Sequence, residues 1–125
     1  LNTEQPDGSY INDNTGLVLK GYGEAINDYE ADSGFITINP NDGNVVTLIV
    51  NGDTDFTFTN TLADSQTFQL ILSNAGDHAI TFSTEIKWPG GVAPTFTSGE
   101  QDLLIFTRAD NTWFGSVSND MRVPA

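Results

Sequence analysis

Apolar and polar residues alternate in short runs along this chain, and no stretch repeats apolar residues at helical spacing over three turns. Alternation with a period of two is the signature of strands with one buried face. Val45 to Val50 is apolar at every position but Thr47, as in a strand covered on both faces. In residues 54–59, Phe56 and Phe58 share one face, with Asp55 and Thr57 on the other. Phe68, Leu70 and Leu72 line one face of the next run, Ile80 and Phe82 lead another, and residues 103–106 and 113–117 follow. Strands are therefore expected at about 45–50, 54–59, 67–73, 78–83 and 102–107, with almost no helix. A shorter alternation covers residues 35–38, and residues 17–22 form the first strand candidate. Residues 23–34 are acidic and mixed and read as a loop or a single helical turn.

Turn signals punctuate these runs every 8–12 residues, the spacing of a sandwich or barrel. Asn39-Pro40-Asn41-Asp42-Gly43, Asn51-Gly52-Asp53, Asn74-Ala75-Gly76-Asp77 and Asp110-Asn111 are the clearest. Asn-Gly between two apolar runs is a strong hairpin signal, so a reversal is expected at Asn51-Gly52. The pattern predicts an all-β fold, a small antiparallel β-sandwich of jelly-roll type. It divides the chain into an extended N-terminal arm (1–16), a sandwich domain (17–118) and an irregular C-terminal tail (119–125).

The run Ile86-Lys87-Trp88-Pro89-Gly90-Gly91-Val92-Ala93-Pro94 is the most distinctive segment. Pro89 fixes φ and lacks an N–H, so it cannot continue a central strand. Gly90-Gly91 permit backbone angles that other residues avoid. A strand therefore stops abruptly at an indole and turns over the end of a sheet.

Composition narrows the function classes. A chain of 125 residues is one domain of ordinary size, able to bury a core without staples. It has no Cys, which removes disulfides and thiolate metal sites and fits assembly in a reducing cytoplasm. No apolar run is long enough for a membrane-spanning helix, and no secretory leader is visible. Leu1 in place of Met points to processing or to a fragment of a longer chain. The net charge is −13, with 17 acidic residues against four Lys and Arg. Such a field repels nucleic acid and anionic bilayers. Asp outnumbers Glu 12 to 5, because Asp suits turns or because the setting is salty or rich in Ca²⁺.

Several pieces in order carry a family resemblance. They are the aromatic strand Phe56-Thr57-Phe58-Thr59, Leu62-Ala63-Asp64-Ser65-Gln66 leading into residues 67–72, and Ile80-Thr81-Phe82. Trp88-Pro89-Gly90-Gly91, Ala93-Pro94-Thr95, the apolar strand over 102–107 and the closing Trp113-Phe114-Gly115 follow. Over about two-thirds of its length the chain resembles the C-terminal β-sandwich module of phage and prophage tail-fibre-like virion proteins. The resemblance implies a structural module on the external surface of the virion. Such a module is often a homotrimer, contacts other virion proteins, takes a structural or adhesive part in host attachment and performs no catalysis. A capsid decoration protein and a carbohydrate-binding module are the alternatives.

Candidate chemistry is sparse. His78 is the only His and sits beside a turn, no G-x-S-x-G elbow occurs, and the carboxylates follow the turns, so no catalytic residue and no bound cofactor are expected. Asn39 to Gly43 and Asp53-Thr54-Asp55 offer hard oxygen ligands for Ca²⁺, without the spacing of a calcium loop ending in Glu. Trp88 and Trp113 are candidates for glycan stacking or for anchoring the core. Tyr22 and Tyr29, with acids between them, are candidates for a partner contact on another virion protein or a host receptor.

Overall fold

The computed structural model describes residues 2–4, 10–12, 16–18, 21, 23–59, 61 and 65–124. It is all-β, with three short 3-10 turns and no α-helix among these residues. Strands β1 (Asn2–Glu4), β2 (Tyr10–Asn12) and β3 (Gly16–Val18) form an antiparallel ladder. The arm expected over 1–16 falls partly outside the described residues, and those described are paired in this ladder.

The remaining strands make one curled mixed sheet. They are β4 (Ile26–Ile38), β5 (Val45–Phe58), β6 (Gln66–Ser73), β7 (Ile80–Phe82), β8 (Ile86–Lys87), β9 (Gln101–Ala109) and β10 (Thr112–Met121). Their order is β4-β5-β6-β9-β10-β8, with β7 beside the second half of β5. Within this sheet the antiparallel arrangement expected from the sequence holds only for β6-β9-β10. Strand β4 runs parallel to β5, β5 runs parallel to both β6 and β7, and β8 runs parallel to β10.

Parallel neighbours normally need a connection of a dozen residues or more. Here Ile26 lies beside Val45 and Ile38 beside Phe58, yet only residues 39–44 join the strands. A straight β4 would be about 40 Å long, whereas the link from Ile38 to Val45 reaches at most about 25 Å. Both strands must therefore bend back on themselves. The pairing shows where they do so. Register shifts fall between Tyr29 and Asp32 and between Asp32 and Gly34, opposite residues 48–54 of β5. Bulges of this kind sharpen the local bend. The return is tight: Val45 N–H donates to Ala25 O at 3.3 Å, and a Cβ on Gly43 would stand 2.8 Å from that oxygen.

Two sequence expectations are corrected by this geometry. Residues 26–33 are strand rather than loop or helical turn. Asn51-Gly52-Asp53 is not a hairpin but the corner of a continuous β5, whose two halves have different partners. The tail also departs from the irregular form expected, since β10 continues to Met121.

The chain from 26 to 82 thus winds as a coil with two legs per turn: β4, then β5, then β6 followed by β7. Inward-facing residues stack in rows across it. Ile36, Phe56 and Phe82 make one row, Val46, Leu70 and Leu104 another, and Phe68, Phe106 and Gly115 a third. Phe58 sits in the middle, edge-on to Phe68, Phe106 and Trp113 at centroid distances of 4.9–5.2 Å. Edge-to-face contact is the favoured aromatic geometry. The β9–β10 hairpin closes over β6. Its two-residue turn, Asp110-Asn111, has positive φ at both positions (51° and 60°), as a tight hairpin requires.

Candidate functional site

Trp113 is only 2% exposed. It packs on Phe58 and Phe68, with the Arg108 guanidinium 5.7 Å from its ring. It anchors the core and offers no face to a glycan. Trp88 is half-buried, on Phe82 and Phe106 at 5.4 and 5.8 Å. The Pro-Gly-Gly turn begins directly after it, with Gly90 and Gly91 both at positive φ. Trp88 therefore pins the turn by packing while one side stays near solvent. Tyr29 is half-buried on β4, and its hydroxyl donates to Thr37 O at 3.2 Å across the bend. Tyr22 lies outside the described residues. His78 is half-buried next to the Ala75–Asp77 3-10 turn, and its backbone N–H donates to Ala75 O.

The oxygen-rich segments serve the backbone. The Asn39 side chain accepts from Asn41 N–H and caps the Pro40–Asp42 turn. Asp53 Oδ1 accepts from Ala79 N–H at 2.9 Å. Among the described residues, no group of three or more acidic, His or Cys side chains is placed to hold a metal ion.

Asp102 is the most engaged titratable group. Its residue is fully buried, at 0% exposure. Thr97 donates to it from backbone N–H and hydroxyl at 2.7 and 2.8 Å, Asp120 N–H at 2.9 Å and Asn119 Nδ2 at 3.1 Å. Burial pushes the carboxyl pKa up; the hydrogen bonds outweigh burial and leave it below the ordinary value. The group ties the segment after the Pro-Gly-Gly turn to the end of β10, a structural task.

One surface has a different character. The register sets Phe35, Asp55 and Thr81 side by side on three parallel strands. They face outward, because Ile36, Phe56 and Phe82 one position later face the core. Phe35 is 92% exposed. Asp55 accepts from the Thr81 hydroxyl at 2.6 Å and from the Ser83 hydroxyl. These two bonds, that from Ser83 first, hold the Asp55 pKa below its ordinary value. Phe35, Asp53, Asp55, Thr81 and Ser83 line a shallow depression of about 400 Å³. The sequence carried the signal for Phe35: Ile36 and Ile38 have the core parity, so Phe35 and Thr37 must point out.

No helix among the described residues is long and apolar enough to cross a membrane. Comparison with protein-family models, with curated proteins and with solved structures finds no match to this chain.

Proposed function

We propose that this protein is a phage virion structural module, part of a tail fibre or another external appendage, with a structural and adhesive role in host attachment. In this reading the curled sheet is a compressed sandwich of jelly-roll type, its two layers formed by the two legs of each turn, and the module is a homotrimer.

The outer edge of β4 carries the proposal. At one end of the coil the β9–β10 hairpin pairs with β6, while at the other end no strand among the described residues pairs with the outer edge of this 13-residue strand. A long edge is a template for another chain, and proteins protect or cover it. Asp28, Glu30 and Asp32 stand exposed along it and the bulges interrupt it, which deters promiscuous pairing and leaves a specific neighbour to cover it. A particle built of repeated subunits supplies such a neighbour.

Antibody raised against the purified domain tests the proposal on particles of the phage that encodes it. Label on the exterior of intact virions in electron micrographs is the expected result. Unlabelled particles, from lysates that contain the protein, would refute it.

A further inference from the structure

We propose that the outward face centred on Phe35 binds a neutral carbohydrate. The inference deepens the adhesive part of the function proposed above and rests on it.

Phe35 is the starting point. Phe35 is 92% exposed, more than any other large apolar residue of the curled sheet. The fold gains little from a ring in water, since burial is what makes such a residue stabilising. Its neighbours across the sheet are polar. Asp55 and Thr81 share its row, and Thr37 and Thr57 the next, with Ser83 just beyond β7. A flat apolar ring among hydroxyls and carboxylates matches a sugar ring. The C–H face of a pyranose lies on the aromatic plane while its hydroxyls bond to the polar rim, the division of labour seen in small-molecule sites.

The polar groups are set in advance. Asp55 takes hydrogen bonds from Thr81 and Ser83, and a carboxylate has about four acceptor positions. The remaining ones are free to accept hydroxyl hydrogens from a ligand, and the carboxylate needs no reorientation to do so. Asp53, fixed by Ala79 N–H, adds a second carboxylate at the rim. The depression of about 400 Å³ is near the small end of the range for ligand sites. Its openness to solvent suits a residue within a longer surface polymer.

Charge selects the class. Two carboxylates in a chain of net charge −13 repel uronic and sialic acids. The same two carboxylates argue against this face packing on its own copy in a second chain. One ring is also far smaller than the roughly 800 Å² per partner of a stable protein interface.

Native electrophoresis of the full chain, in gels cast with dextran, mannan, galactan, laminarin or the acidic polymer alginate, tests the proposal. Retardation by at least one neutral polymer and not by alginate is expected. Phe35→Ala should restore free mobility with an unchanged melting temperature, and Phe35→Trp should keep or strengthen retardation. The proposal is overturned if no neutral polymer retards the wild type, or if Phe35→Ala is retarded equally. It is also overturned if Phe35→Ala breaks up an oligomer in sedimentation, which would make the ring a subunit contact. Labelled virions without retardation would remove the glycan site and leave the structural role standing. Retardation with unlabelled virions would do the reverse.

Discussion

The indole of Trp88 occupies the space that a side chain at Gly115 would fill. A Cβ at Gly115 would stand 2.8 Å from Trp88 Cζ3 and 2.9 Å from Phe106 Cε1. The ladder explains the pairing. Ile86 lies beside Trp113 and Lys87 beside Phe114, so the next step sets Trp88 beside Gly115. A large residue at the end of β8 thus requires the smallest one on β10. Gly115→Ala should cost about 1–3 kcal/mol through overpacking, and Trp88→Ala about 3 kcal/mol through lost burial and a cavity. Combined, the two changes should cost less than their sum, because the alanine methyl would occupy part of the vacated space. Chemical denaturation of the four proteins checks this, and strict additivity would contradict the contact.

Asp102 makes stability depend on pH. Its folded pKa lies below the value of 3.8 that applies without these contacts, so its contribution is fully present above that value. It is lost as pH falls through the lower, folded pKa. Asp102→Asn places an NH₂ group among N–H donors and should cost about 3 kcal/mol at neutral pH. Melting temperatures from about pH 5 down to about pH 2 should fall less steeply for the variant than for the wild type. Parallel curves would show that Asp102 is not the group responsible.

Gly76 is required by a backbone crossing. A Cβ there would meet Ser98 N at 2.4 Å and Phe96 O at 2.7 Å, and Gly76 N–H already donates to Thr97 O. Backbone cannot yield as a side-chain tip can, so Gly76→Ala should displace residues 96–98 and loosen Thr97 from Asp102. A loss of about 2–4 kcal/mol is expected. Faster amide exchange at Thr97 should accompany it; unchanged exchange would mean that the crossing is looser than described.

Salt should stabilise the protein. With 17 acidic and four basic side chains, repulsion among exposed carboxylates opposes compactness, and added ions screen it. Raising NaCl from about 20 mM to about 0.5 M should lift the melting temperature by roughly 5 °C. A flat or falling curve would show that local pairs such as Arg122 with Asp120 outweigh the general repulsion.

The strands with a buried face were legible because alternation records burial directly: Phe56, Phe58, Phe68, Leu70 and Leu72 all lie in the core. Residues 26–33 were not, since an edge strand that buries almost nothing leaves no alternation to read. Asn51-Gly52-Asp53 misled for a related reason. The residues that close a hairpin also let a strand turn a corner, and only the partners of its two halves distinguish the cases. Parallel pairing was hidden because the short link over 39–44 implies a reversal unless the strands bend. At the candidate site the size of an aromatic does not decide its exposure: strand parity buries Trp113 and turns Phe35 outward.

The winding of β4, β5 and β6–β7 also gives the molecule a gradient of persistence. Strand β6 pairs with β9 along its whole length and with β5 over residues 69–73, whereas β4 is held from one side only. Each lap rests on the one inside it, so opening should start at β4 and travel inward, as the last loop slips first from a wound rope. Amide protons at the centre of β6 should outlast those of β4 in hydrogen exchange. Whatever seats itself on β4 would then halt the unwinding at its origin and tighten every lap beneath it.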